Sequence, residues 1–490
     1  MVSAVNHTGC GVGGTTSYDI YLELSHPRGT SLAPWPDDNT LLGTGVSGLK
    51  ENFVDRTLIR LLVFLGVTVW ATSVAAQEDE DFWPEWRGPR ATGVSTNANP
   101  PLKWSETENI RWKIDIPGRG SSSPIVWRDR IFLLTAVPLG IAGEASHAPR
   151  GGYEPRDTHQ FLVLAINRSD GQILWERVAR EAQPHEATHG ENGSWASSSA
   201  VTNGELVFAS FESQGVYAYD LDGNLVWEND LGNKTMRNQF GEGTTPTVHS
   251  DRLFVVWDHQ GQSFIVALDT QTGKEVWRTN RDEIDSWATP LVVEHDGRKQ
   301  VVVNGMNRLR SYDFESGEVI WHTEGLTMNP IPSPVGADGL VIVTAGYRGN
   351  DLKAIDLGVA QGDITDTAAI VWTLDRDTPY VPSPLLYGNF LYLLKRNNGI
   401  LSVFDVKTGE PHYQLQRLTD VPNIFASPVG ASERIYIPGR DGTTLVIKHG
   451  GMFEILAANT LDDGFDASPA LVGNELYLRG YNHLYCIAES

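Results

Sequence analysis

From about residue 109 to the end of the chain, apolar side chains come in short alternating runs, each closed off by Gly, Asp, Asn or Pro. Gln300-Val-Val-Val-Asn304 and Arg252-Leu-Phe-Val-Val-Trp257 are representative. β-Branched and aromatic residues in a period of two, framed by turn formers, predict half-buried strands rather than helices.

A longer repeat organises these strands. Ser123-Pro124, Thr245-Pro246, Thr289-Pro290, Ser333-Pro334, Ser383-Pro384, Ser427-Pro428 and Ser468-Pro469 mark seven starts, and Ser199-Ala200 fills the second slot to make eight. Most steps are 41 to 50 residues; the step from 124 to 200 is 76, so the first unit or the loop after it is enlarged. Each unit tends to close on Asp, Gly and Trp, most fully in Ala267-Leu-Asp-Thr-Gln-Thr-Gly-Lys-Glu-Val-Trp277. Trp175, Trp227, Trp321 and Trp372 hold the same place elsewhere.

A period near 45 with four short strands per unit predicts an all-β fold, an eight-bladed β-propeller, because one small sheet cannot bury both faces alone. The last unit ends one strand short and without its Trp. Asn109-Ile-Arg-Trp-Lys-Ile-Asp115, which carries Trp112, is expected to pair with it as a fourth strand and close the ring.

Composition narrows the class further. Of 490 residues, 40% are hydrophobic and 20% charged, with 49 Gly and 26 Pro, which excludes disorder, collagen or a long coiled coil for most of the chain. The net charge is −23, so phosphate backbones are repelled and no nucleic-acid partner is expected. Cys10 and Cys486 are the only cysteines, leaving no disulfide framework and no thiolate metal site.

The apolar run Leu61 to Trp70 follows Arg56 and Arg60 and precedes Ala71-Thr-Ser-Val-Ala-Ala76 and an acidic stretch. That order predicts a signal peptide over 56–76, with an uncleaved anchor helix as the alternative. Residues 1–55 lack any sustained period and are expected to be a disordered upstream extension from a start assigned too early. Residues 77–104 form an N-terminal extension and 105–490 the propeller. The mature protein is expected to be periplasmic or extracellular, without stable membrane insertion, and a monomer.

The phrase Ala-x-Asp-x-x-Thr-Gly-x-x-x-Trp, complete at Ala267 to Trp277, resembles the tryptophan-docking repeat of the pyrroloquinoline-quinone (PQQ) repeat propellers, over roughly 105–490. The leader Trp83-Pro-Glu-Trp-Arg-Gly-Pro-Arg90 resembles the start of secreted bacterial propellers of this kind. The family contains quinoprotein dehydrogenases and non-enzymatic BamB-like envelope propellers. Trp112, Trp175, Trp227, Trp277, Trp321 and Trp372 are then expected to be docking residues between blades rather than cofactor platforms.

The resemblance places the ligand-facing rim at the loops joining blades and at the turns between middle strands. Those turns carry Glu212, His259, Arg308, Arg348, Arg396, Arg440 and Asn482. Four arginines at one repeated place would make an anion site suited to a polycarboxylate such as PQQ; the plainer alternative is that each pairs with a nearby Asp such as Asp351 or Asp441. The loop from His185 to Trp195 adds His189 and Glu191, residue types that bind metals or move protons, on a Gly-broken segment ill suited to a metal.

Quinoprotein dehydrogenases need a vicinal cysteine pair and a Glu, Asn and Asp set for calcium; Cys486 is the only cysteine of the propeller. The leading expectation is therefore a secreted, non-catalytic scaffold that binds a protein, peptide or envelope component on its rim, with no catalytic residue, metal or cofactor. It lacks the cysteine after the apolar run that would make it a lipoprotein. The alternative is a quinone-dependent or diverged oxidoreductase holding PQQ, with calcium, at the arginines. A polysaccharide hydrolase or lyase would rest only on paired carboxylates such as Glu186 and Glu191.

Overall fold

The computed structural model describes residues 82–140, 157–190 and 193–489. The expected signal peptide, the upstream extension and Glu191 lie outside those residues. Among the described residues no helix is long and apolar enough to cross a membrane.

Eight sheets follow one another in chain order, antiparallel except where a short fifth strand, Gly362–Asp363, adds to the fourth sheet in parallel. The first blade uses Ile125–Trp127, Arg130–Pro138, His159–Asn167 and Ile173–Ala182; the second, Val201–Thr202, Leu206–Ser210, Val216–Asp220 and Leu225–Asn229. The third to seventh begin at Thr247, Leu291, Val335, Leu385 and Val429. The eighth holds Ala470–Val472, Glu475–Arg479 and His483–Ala488, and its outer strand is Ile110–Asp115, antiparallel to His483–Ala488 with Trp112 opposite Cys486. The ring closes as the repeat predicts. Successive first strands neighbour each other around the axis, and the core lies in apolar layers between adjacent sheets.

The docking residues explain the Gly and Trp of the repeat. Trp175 Nε1 donates to the Leu221 carbonyl of the next blade at 3.0 Å, and Trp227, Trp277, Trp372 and Trp112 do the same to Thr270, Phe314, Val406 and Arg168 at 2.8 to 3.0 Å. Each indole lies on a turn glycine. At Gly223, φ is +82° and an added Cβ would stand 2.7 Å from Trp175 Cδ2, so conformation and space both demand glycine.

Trp321 departs from the expected pattern. Its Nε1 donates to Gln300 Oε1 of its own blade at 2.9 Å, and the short strand Gly362–Asp363 pairs with it as a fifth strand. The fifth blade carries an insertion between Asp356 and Ile370 where the receiving glycine turn would be, and that insertion covers the indole completely.

The N-terminal extension is part of the fold. Phe82–Trp83 pairs with the first blade, Pro84 accepts from Thr202 of the second, and Ser95 and Asn99 donate to Gly430 and Gly473 of the seventh and eighth. Between these points the chain crosses the axis. The buried Arg87 guanidinium donates to the carbonyls of Pro384 at 2.7 Å and Pro428 at 2.9 Å, pinning the sixth and seventh blades together.

Candidate functional site: an axial cavity

The repeated Ser or Thr has one task. Its hydroxyl accepts the backbone N–H of the equivalent residue in the preceding blade, from Ser123 to Ser199, Ser199 to Thr245, Thr289 to Ser333, and on through Ser383, Ser427 and Ser468 back to Ser123, at 2.9 or 3.0 Å. The Thr289 hydroxyl accepts instead from Trp86 Nε1 of the leader at 3.1 Å. This hydroxyl girdle encircles the axis, and Trp86 floors it.

Above the girdle lies a cavity of about 450 Å³. Two residues before each repeated Ser or Thr, every blade places one residue at its lining. In order around the axis these are Ser121, Ser197, Gly243, Trp287, Ile331, Val381, Phe425 and Asp466. Backbone geometry fixes the position and leaves the residue type free, so the ring varies from blade to blade: small on one side, aromatic and aliphatic on the other. Tyr347 and Tyr380, stacked with centroids 4.8 Å apart, and Phe240 extend the aromatic wall.

Glu242 and Asp466 are the carboxyls of the lining. Asp466 Oδ1 is 2.8 Å from Arg440 Nε; burial raises its pKa and the guanidinium opposes that shift. Glu242 accepts from the Ser213 backbone N–H at 2.8 Å and its hydroxyl at 2.5 Å. Burial, with the like charge of Glu212, pushes Glu242 up to about 8, against the pull of Lys234 and Ser213. Behind it, fully buried Lys234 is paired with Glu212 and lies 4.7 Å from the Trp257 ring centroid.

Of the candidates read from sequence, only His189 among the described residues lines this cavity. The four arginines do not converge on it. Arg308 is half exposed, with Nε 4.0 Å from Asp282; Arg348 lies 5.5 Å from the Tyr347 ring; the Arg396 backbone donates to Thr378 at 3.0 Å. Arg440 turns to Asp466, not Asp441, and stacks 4.5 Å over Phe425, while Asp351 takes Lys353 rather than Arg348. His259 Nδ1 accepts from the Thr235 backbone at 3.1 Å, and the Asn482 backbone is turned to Asp463 at 3.4 Å. The mid-blade turns stand outside the inter-blade loops, whose carboxylates and rings hold these side chains along the rim.

Sequence reasoning missed Trp86, Glu242, Trp287, Phe425 and Asp466. For Trp287, Phe425 and Asp466 the available signal was the fixed offset of two residues before each Ser or Thr, which no repeated residue type marks; Trp86 and Glu242 lie off that offset.

These features define a closed eight-bladed propeller whose axis is sealed by its own leader at one end and forms a cavity at the other. A family model described as outer membrane protein assembly factor BamB matches residues 66–256 and 212–363, and the chain belongs to this family. It is 26% identical to the outer membrane protein assembly factor BamB of Yersinia pestis over 356 residues, 63% of this chain and 86% of that protein. It is 24% identical to the tetrathionate hydrolase of Acidithiobacillus ferrooxidans over 281 residues, 54% of this chain and 53% of that protein. Solved structures show the same fold: BamB from Moraxella catarrhalis at TM-score 0.54 and 14% identity, covering 77% of this chain and 98% of that one, and a quinohemoprotein alcohol dehydrogenase from Comamonas testosteroni at 0.59 and 10%, covering 84% and 81%.

The residues present do not fit PQQ. A tricarboxylate in the cavity would meet Glu242 and Asp466 and no lining Arg or Lys. Cys486 is buried in a strand, its thiol pushed up to about 12 chiefly by burial. Among the described residues no three His, Cys, Asp or Glu side chains gather as a metal site.

Proposed function

We propose that this chain is a secreted, non-catalytic binding propeller of the cell envelope that holds a protein or peptide segment at its axial cavity and the surrounding rim. The observation that carries the reading is the ring of eight positions, one per blade, whose residues vary in size and chemistry around one cavity on a repeated Ser/Thr girdle. A rigid frame with variable inward residues is the architecture of a recognition surface. Membership of the BamB family supports a role beside envelope proteins.

The test is genetic. Deleting the gene in its host is expected to change the amounts of outer-membrane proteins, and the wild-type chain to restore them. A Trp287→Ala, Phe425→Ala variant that folds normally is expected not to restore them. Full restoration by that variant would remove the cavity from the function.

A further inference from the structure

Two chemically different walls meet across the axial cavity. The first three blades contribute Ser121, Ser197 and Gly243, which leave space, whereas the fourth and seventh contribute Trp287 and Phe425, which offer ring faces. Trp287 Nε1 is bonded to the Gly241 carbonyl at 2.8 Å, so its donor edge is taken. The backbone at Glu242 runs beside this indole: a Cβ on Gly243 would lie 3.6 Å from Trp287 Cδ1. Glu242 lines the same cavity as this indole and Phe240, its side chain 18% exposed.

Charge then selects the ligand. The lining holds two carboxyls and no Lys or Arg. Asp466 is held by Arg440 and Lys234 by Glu212, while Glu242 accepts hydrogen bonds from the neutral donors of Ser213. A carboxylate beside aromatic faces is the chemistry that recognises ammonium and guanidinium groups, by charge-assisted hydrogen bonding and by cation–π attraction.

Resting on the binding-propeller reading above, we propose that the axial cavity binds the cationic side chain of a Lys or Arg on an extended segment of the partner, its head group on Glu242 and its methylene stem along Trp287 and Phe240. An incoming cation favours the ionised carboxyl, so binding at neutral pH transfers a proton from Glu242 to the buffer. The charged and titratable groups facing Glu242 are Glu212, Lys234 and His185, whose Nε2 is 3.9 Å from Oε1.

The test is calorimetric titration of the full chain with acetyl-Ala-Lys-Ala-amide and its Arg, Gln and Glu analogues, at pH 7 in two buffers of different ionisation enthalpy. The Lys and Arg peptides are expected to bind roughly tenfold more tightly than the Gln peptide and to release a proton. Glu242→Gln is expected to lose that preference and the proton release. Trp287→Leu is expected to weaken binding and keep the release, which maintains a readout should the first variant fold poorly. Equal affinity for the Lys and Gln peptides, tighter binding of the Glu peptide, or no binding by any of them overturns the proposal. Loss of cation binding with the genetic result intact removes only the ligand chemistry; cation binding with no envelope phenotype removes the envelope role.

Discussion

The backbone N–H of Ser468 donates to the Ser123 hydroxyl at 2.9 Å, so the last blade grips the first by the bond that joins the blades before it. The seam is reinforced by Ile110–Asp115, a strand drawn from the other end of the propeller sequence. Trp112 spans this junction, its indole on Gly171 of the first blade. Trp112→Ala is expected to lower the unfolding free energy by about 3 kcal/mol. Amide exchange is expected to quicken first in Glu475–Arg479 and His483–Ala488; a uniform rise across all blades would contradict a seam held by Trp112.

Arg87 ties the leader to the axis. Removing its guanidinium leaves the Pro384 and Pro428 carbonyls without their donor in a buried place, which costs about 2 kcal/mol. Arg87→Ala is therefore expected to shift the denaturant midpoint down. Arg87→Lys is expected to recover only part of the loss, since a compact ammonium does not reproduce the planar fork.

Glu242 makes stability depend on pH. Its folded pKa, pushed up to about 8 mainly by burial, exceeds the ordinary carboxylate value, so between the two the folded state holds a proton that the unfolded state has lost. Stability from this group is full at low pH and falls as pH rises through that window, by no more than about 5 kcal/mol. Thermal melts from pH 5 to pH 9 are expected to decline more steeply for the wild type than for Glu242→Gln. Parallel curves would show that the carboxyl is ionised throughout.

Arg308 and Arg348 lie along the rim and are part of neither the girdle nor the cavity lining, although Arg348 packs on the ring of the lining residue Tyr347. Replacing Arg308 by Ala is expected to change stability by less than about 0.5 kcal/mol. PQQ, with or without calcium, is expected to give no heat that an Arg348→Ala, Arg396→Ala variant abolishes. A tight, arginine-dependent isotherm would restore the anion-site reading.

The architecture was legible because its joints demand particular residues. A hydroxyl must stand at Ser123 and six of its equivalents to receive a neighbour's N–H, and at Thr289 to receive Trp86, and an indole must meet a glycine at Trp175 and Gly223. The exception, Trp321, follows from an insertion whose extra strand the repeat does not announce. The site was less legible. The Arg turns share a place in the repeat, yet Asp466 and Asp282 from neighbouring loops draw Arg440 and Arg308 along the rim. Glu212, Lys234 and Glu242 meet across separate loops, and no local spacing shows that contact. The cavity ring sits at a constant offset but varies in type, so periodicity fixes where to look and only the assembled axis shows what gathers there.

The most direct test of a binding role for the cavity is photo-crosslinking in the native host, with a photoreactive side chain at Phe425 in one strain and at Val276, on the outer strand of the third blade, in another. The account predicts an adduct with an envelope protein from the Phe425 position, lost when Ser197→Trp fills the cavity, and none from Val276. Adducts from Val276 alone, or from neither position, would contradict it.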